Sequence, residues 1–121
     1  HSFRILFAWI SEILLFFKAL SDLTRLRILH LVEDGEMCVC KITEIIGLPQ
    51  SSLSHHLSIL KKNKLVNVRK QGKWNYYSKN ENLNDLYRYV LDQLLKNTKD
   101  EEIVKSDKNL KKLSSKSCFQ G

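Results

Sequence analysis

Between Val39 and Ser78 the hydrophobic period of the chain changes from that of a helix to that of a strand, and that change constrains the fold more than any other feature. Val39, Ile42, Ile45 and Ile46 recur at the spacing of one helical face, and Gly47 supplies a residue suited to ending that helix. After Leu48-Pro49, a second amphipathic stretch of about Gln50 to Asn63 sets Leu53, Leu57 and Leu60 on one side. A short helix, a brief turn containing glycine and a second helix make a helix-turn-helix. The period then drops from 3.6 to 2. Leu65 to Arg69 and Trp74 to Ser78 alternate and are rich in Val, Tyr and Trp, with Lys70-Gln71-Gly72-Lys73 between them. This is a β-hairpin with glycine near its tip. The order of elements predicts a winged helix-turn-helix, mainly α with a small β-hairpin wing.

The flanks fit that frame. Residues 3–20 read as a helix that is apolar nearly all round, which implies burial on more than one side. Ser21-Asp22 offers capping side chains to a helix over Thr24 to Val32, with Leu26, Ile28 and Leu29 inward and Arg25 and Arg27 outward. Leu83, Leu86, Tyr87, Val90, Leu91, Leu94 and Leu95 follow the pattern of a closing helix. From Asn97 onward Lys, Asp and Ser dominate. The predicted organisation is a DNA-binding and dimerisation domain over residues 1–97 and a charged, mobile tail over 98–121, in which scattered Leu110, Leu113 and Phe119 allow at most one weak helix.

Composition narrows the function classes. The chain has 121 residues, 43% of them apolar, with one Pro and four Gly, which suits one domain with a real core and disfavours a turn-rich all-β fold. The apolar run from Phe3 to Phe17 is interrupted by Arg4 and Glu12 and lacks a small-residue cleavage site, so neither a membrane span nor a secretory signal is expected. Three cysteines form no complete disulfide set, and a reducing, cytoplasmic setting follows. With no Gly-x-Ser-x-Gly, phosphate loop or paired carboxylates in a cleft, an enzyme is not expected, nor is an organic cofactor.

Charge points to nucleic acid. From Lys41 to Lys73 seven basic residues face one acid, Glu44, a local +6 within a total of +7. A lysine run alone is ordinarily a solvated face, but here it coincides with a helix-turn-helix and its wing. The outward face of the second helix offers Gln50, Ser51, Ser52, Ser54 and His55, short hydrogen-bonding groups suited to a major groove. Arg69, Lys70, Gln71 and Lys73 do the same on the wing, and His56 is expected to point inward.

Cys38-Val39-Cys40 stands at the start of the helix-turn-helix. One intervening residue is too few for a thioredoxin-type motif, and two sulfurs are too few for a structural zinc site. Two thiols this close suit a soft, thiophilic ion, although free cysteines commonly serve as small buried hydrophobes. On a regular helix, residues i and i+2 lie about 200° apart, so joint binding is expected to unwind that first turn.

Several boxes together resemble one family. Phe17-Lys18-Ala19-Leu20-Ser21-Asp22 with Thr24-Arg25-Leu26-Arg27-Ile28-Leu29, then Glu36-Met37-Cys38-Val39-Cys40, then Gln50-Ser51-Ser52-Leu53-Ser54-His55-His56-Leu57, then Arg69-Lys70-Gln71-Gly72-Lys73-Trp74, are similar to the ArsR/SmtB family of metal-responsive winged-helix repressors. The wing and cysteine boxes resemble its arsenic-responsive branch. The resemblance implies a homodimer on a palindromic operator that releases DNA when trivalent arsenic or antimony binds Cys38 and Cys40. The family's third thiolate position is Thr43 here, which makes Cys118 the candidate for a further ligand. Residues 1–20 lack the cysteines of cadmium- and lead-responsive relatives, and the stretch from Leu83 to Asn97 lacks the histidines of zinc-responsive ones. The family's usual Pro is Leu23, and its usual Gly after the recognition helix is Lys64, so Asn63 is expected in the left-handed conformation. For the dimer, Phe7, Leu14, Leu86, Val90 and Leu94 are the natural surface. Alternatives on the same scaffold are a thiol-redox sensor, a cadmium- or lead-type sensor, and a DNA-binding module whose cysteines only pack.

Overall fold

The computed structural model describes residues 2–114. Six helices and a three-stranded sheet follow in the order α1 (Ser2–Leu20), α2 (Leu23–Val32), β1 (Met37–Cys38), α3 (Val39–Ile46), α4 (Gln50–Lys62), β2 (Val66–Gln71), β3 (Trp74–Lys79), α5 (Asp85–Thr98) and α6 (Glu102–Leu113). The strands are antiparallel in the order β1-β3-β2. This is the winged helix-turn-helix that the hydrophobic pattern predicts, with one more strand and one more helix.

Helix α2 is the centre. Its N-cap is Asp22, whose carboxylate accepts from the Arg25 N–H at 3.0 Å, and Ile28, Leu29, Leu31 and Val32 are buried. Ile42 and Ile45 of α3 and Leu53, Leu57 and Leu60 of α4 pack into the same core, so the two helices of the motif share one apolar floor. Gly47 (φ +78) ends α3 in the left-handed conformation, and its N–H donates to the Thr43 carbonyl. On the wing, Gln71 pairs with Trp74, leaving Gly72 (φ +60) and Lys73 as a two-residue hairpin loop. Phe16 of α1 stacks on Tyr87 of α5 with centroids 3.9 Å apart, which joins the first helix to the fifth.

Three expectations are corrected. Arg25 and Arg27 do not point outward. Arg25 is buried and donates from Nε to the Ala19 carbonyl (2.6 Å) and from Nη2 to the Lys18 carbonyl (3.3 Å), satisfying the last turn of α1. Its Nη1 donates to His56 Nδ1 of α4 at 3.0 Å. Arg27 forms a two-pronged pair with Asp107 (2.8 and 3.0 Å).

That pair belongs to the second correction. Residues 102–113 are not a mobile tail but helix α6, docked on α2 and α3 with Val104 and Asp107 buried. Lys108 reaches Glu33 at 3.1 Å, and Lys111 donates to the Leu31 carbonyl at 2.7 Å. Burial there lowers the Lys111 pKa, because the charged amine loses solvent.

Third, the left-handed residue after α4 is Lys64 (φ +63), not Asn63 (φ −95). An L side chain at positive φ carries steric strain that glycine lacks. Lys64→Gly should therefore stabilise the fold by about 0.5–1 kcal/mol. The check is a higher urea midpoint with an unchanged slope.

Candidate effector and nucleic-acid site

The two cysteines straddle the junction of a strand and a helix. Cys38 is the last residue of β1 and the N-cap of α3, with extended backbone (φ −64, ψ 142), while Cys40 lies in the first helical turn. The backbone bends between them, so their side chains converge instead of pointing to opposite sides. Their Sγ atoms stand 2.9 Å apart. The expected conflict with a regular helix is therefore absent: the turn need not unwind to bring the sulfurs together.

Strand β3 walls this site. Cys38 pairs with Tyr76 across the ladder, and Cys38, Tyr76, Cys40 and Trp74 form one cluster beside the main core. Cys38 is buried and Cys40 half-buried. The position of the family's third thiolate is otherwise engaged, since the Thr43 hydroxyl donates to the Val39 carbonyl at 2.8 Å. Among the described residues, no group of three or more His, Cys, Asp or Glu side chains could hold a metal ion. The donor set is thus a pair of sulfurs already in contact with each other, a disulfide when oxidised and a two-sulfur chelate for one soft ion when reduced. Cys118 lies outside the described residues.

On α4, Gln50, Ser51, Ser52, Ser54 and His55 are all exposed, whereas His56 is partly buried between Arg25 and Asp22 (3.0 and 3.6 Å). The inward and outward assignment of the two histidines matches the sequence reading. Lys70, Gln71 and Lys73 are exposed toward the wing tip, and Lys73 lies 5.3 Å from the Trp74 ring centre. Arg69 is occupied differently. Its Nε and Nη2 donate to the two Glu36 carboxylate oxygens (3.0 and 2.6 Å), Nη1 donates to Gln71 Oε1 (2.7 Å), and the guanidinium stands 4.6 Å from the Tyr76 ring centre. Sequence reasoning missed Glu36 as a partner, as well as Tyr76 and Trp74 as walls. The alternation of the hairpin could have flagged Trp74 and Tyr76 as sharing a face, since they are two residues apart.

A second surface is apolar. On α1, Phe7, Trp9, Ile10, Leu14, Leu15 and Phe17 are exposed, as are Leu86 and Tyr89 on α5, whereas Val90 and Leu94 are only partly so. Large contiguous apolar patches on soluble chains mark interaction sites. Among the described residues, no helix is long and apolar enough to cross a membrane.

Comparison with known proteins agrees with this geometry. Residues 22–68 match the profile described as bacterial regulatory protein, arsR family. An uncharacterized HTH-type transcriptional regulator of Methanocaldococcus jannaschii is 56% identical over 62 residues, covering 50% of this chain and 70% of that one. The arsenical resistance operon repressor of Staphylococcus xylosus is 39% identical over 91 residues, covering 75% of this chain and 86% of the repressor. A cadmium resistance transcriptional regulatory protein of Listeria innocua is 51% identical over 63 residues, and only 53% of its length is spanned. Among solved structures, the homodimeric winged helix-turn-helix DNA-binding domain from Mycobacterium bovis, a possible ArsR-family transcriptional regulator, superimposes with a TM-score of 0.63–0.64 in its two determinations. Its solution structure shares 30% identity and covers 78% of this chain and 86% of that domain. These are regulators rather than catalysts, and by fold and sequence the chain belongs to the arsR family of bacterial regulatory proteins.

Proposed function

We propose that the protein is a DNA-binding transcriptional repressor that acts as a homodimer on a palindromic operator and releases it when trivalent arsenic or antimony binds Cys38 and Cys40. The observation that carries this reading is the 2.9 Å juxtaposition of the two sulfurs at the base of α3, the helix that shares its apolar floor with α4. Seating a thiophilic ion between sulfurs that already touch spreads them apart, which changes the seat of α3 and, through Ile42, Ile45 and Leu53, the seat of the DNA-facing helix. The names of the arsenical resistance relatives support the choice of ion, and Gln50, Ser51, Ser52, Ser54, His55, Arg69, Lys70, Gln71 and Lys73 are its DNA-contacting residues. Two recognition helices must meet successive major grooves about 34–36 Å apart, which requires a dimer. The exposed apolar faces of α1 and α5 supply its interface.

The test begins with operator fragments selected from a random DNA pool. Fluorescence anisotropy then follows release as arsenite, antimonite and cadmium are added. A coupling of about 1–3 kcal/mol, or 5–150-fold in affinity, is expected for arsenite or antimonite. Sedimentation should give a dimer at micromolar concentration, and a monomer there would retract the palindromic reading. The sulfur contact favours one second reading, thiol-redox sensing. Peroxide would take two electrons from the two thiols, leaving a disulfide and two waters. Release by peroxide but not by arsenite would select it.

A further inference from the structure

Glu36 and Arg69 are 33 positions apart, yet their side chains form a two-pronged pair at 3.0 and 2.6 Å. Glu36 lies two residues before Cys38, on the segment that enters β1. Arg69 lies on β2, cross-strand from Tyr76, and Tyr76 is in turn cross-strand from Cys38. The guanidinium also stands over the Tyr76 ring, which packs against Cys38. One wing cation thus touches both the approach to the sulfur pair and the aromatic wall of that pair. The bond to Arg69 holds the Glu36 carboxyl below its usual range, and the same bond raises the Arg69 pKa.

Both partners are about half exposed, 49% for the Arg69 side chain and 42% for Glu36. Pairs with that exposure are weak and exchange readily. A carboxylate and a phosphate offer a guanidinium the same two-pronged acceptor. Arg69 sits on the wing, where phosphate would approach, but it is already spoken for by a carboxylate of its own chain.

We propose that Glu36 is a positioning residue that competes with DNA phosphate for Arg69 and couples the Cys38–Cys40 site to the wing. The inference rests on the DNA-release reading above and deepens it. Strand β1 connects Glu36 to Cys38, so an ion seated on the sulfurs shifts Glu36 and Tyr76 together. Arg69, in contact with both, changes its availability to phosphate. The wing then reports the state of the sulfur pair by a route separate from that through α3 and α4.

The experiment compares wild type, Glu36→Gln, Arg69→Gln and the double variant on one operator across a salt series, with and without arsenite. Glu36 is exposed in the segment before β1, and folding of each variant is verified by its thermal midpoint. Glu36→Gln should tighten inducer-free binding about 3–10-fold. It should also steepen the log–log salt dependence by about 0.9 per added phosphate contact, or roughly twice that for a dimer. In the Arg69→Gln background the gain should vanish, because coupling between contacting residues is non-additive. The arsenite response of Glu36→Gln should be smaller than that of wild type. Unchanged affinity and slope in folded Glu36→Gln would overturn the proposal. So would a gain that persists without Arg69, since that would be a general field effect. Failure of the underlying reading is separately visible, because wild type itself would then show no DNA binding or no release.

Discussion

Replacing Cys38 by Ser should collapse the arsenite response from the 5–150-fold range to about one, while inducer-free operator affinity stays within about a factor of two. Serine keeps the shape at the N-cap but offers a hard, poorly coordinating oxygen in place of a thiolate. Cys38 is only 6% exposed and lies against Tyr76, so the substitution alters the donor without opening the wall. Cys40→Ser should behave alike, and the double variant should add nothing, since one lost sulfur already removes the chelate. Operator titration with and without arsenite measures all three. Loss of DNA binding in Cys38→Ser would make the thiol a structural element instead. A normal response in both single variants would move the inducer site elsewhere, with Cys118 the next sulfur to replace.

Asp107→Ala should destabilise the protein by about 2–3 kcal/mol, the range for a charged hydrogen-bonded group that loses its partner. Asp107 is 2% exposed and accepts two bonds from Arg27 (2.8 and 3.0 Å). The change deletes the acceptor and leaves a guanidinium on α2 facing an apolar methyl. The loss should be local before it is global. Of the apolar side chains on α6 only Val104 is buried, and the other ties to the body are polar, Lys108 to Glu33 and Lys111 to the Leu31 carbonyl. Amide exchange over 102–113 should therefore accelerate more than exchange in α2 or α4. Uniform acceleration across the molecule would show instead that α6 and the core open as one unit.

The parts of the fold that were legible in the sequence are those in which a repeating apolar spacing meets a marked stop. Leu53, Leu57 and Leu60 define α4 because three buried leucines at helical spacing leave little choice, and Gly47 and Gly72 mark turns that do adopt positive φ. Strand β1 was not legible, because two residues cannot show a period of two. Its absence misplaced both cysteines within a regular helix and created a geometric conflict that the chain does not have. Arg25 and Arg27 read as solvent-facing because their side-chain partners are distant in sequence, His56 being 31 residues from Arg25 and Asp107 80 residues from Arg27. Helix α6 reads as no more than one weak helix, and its docking is hidden, since its anchoring residue is an aspartate rather than a run of leucines. At the candidate site the outward face of α4 was readable from its polar side chains. The Glu36–Arg69 pair and the Tyr76 wall were not, because both depend on the register in which β1 joins β3.

The guanidinium of Arg25 has a mechanical consequence. It clasps the final carbonyls of α1 with one edge and His56 of α4 with another, so two helices far apart in sequence share a single rivet. A load on the exposed side of α1 therefore has a direct path to α4 through one side chain, without passing through the apolar interior.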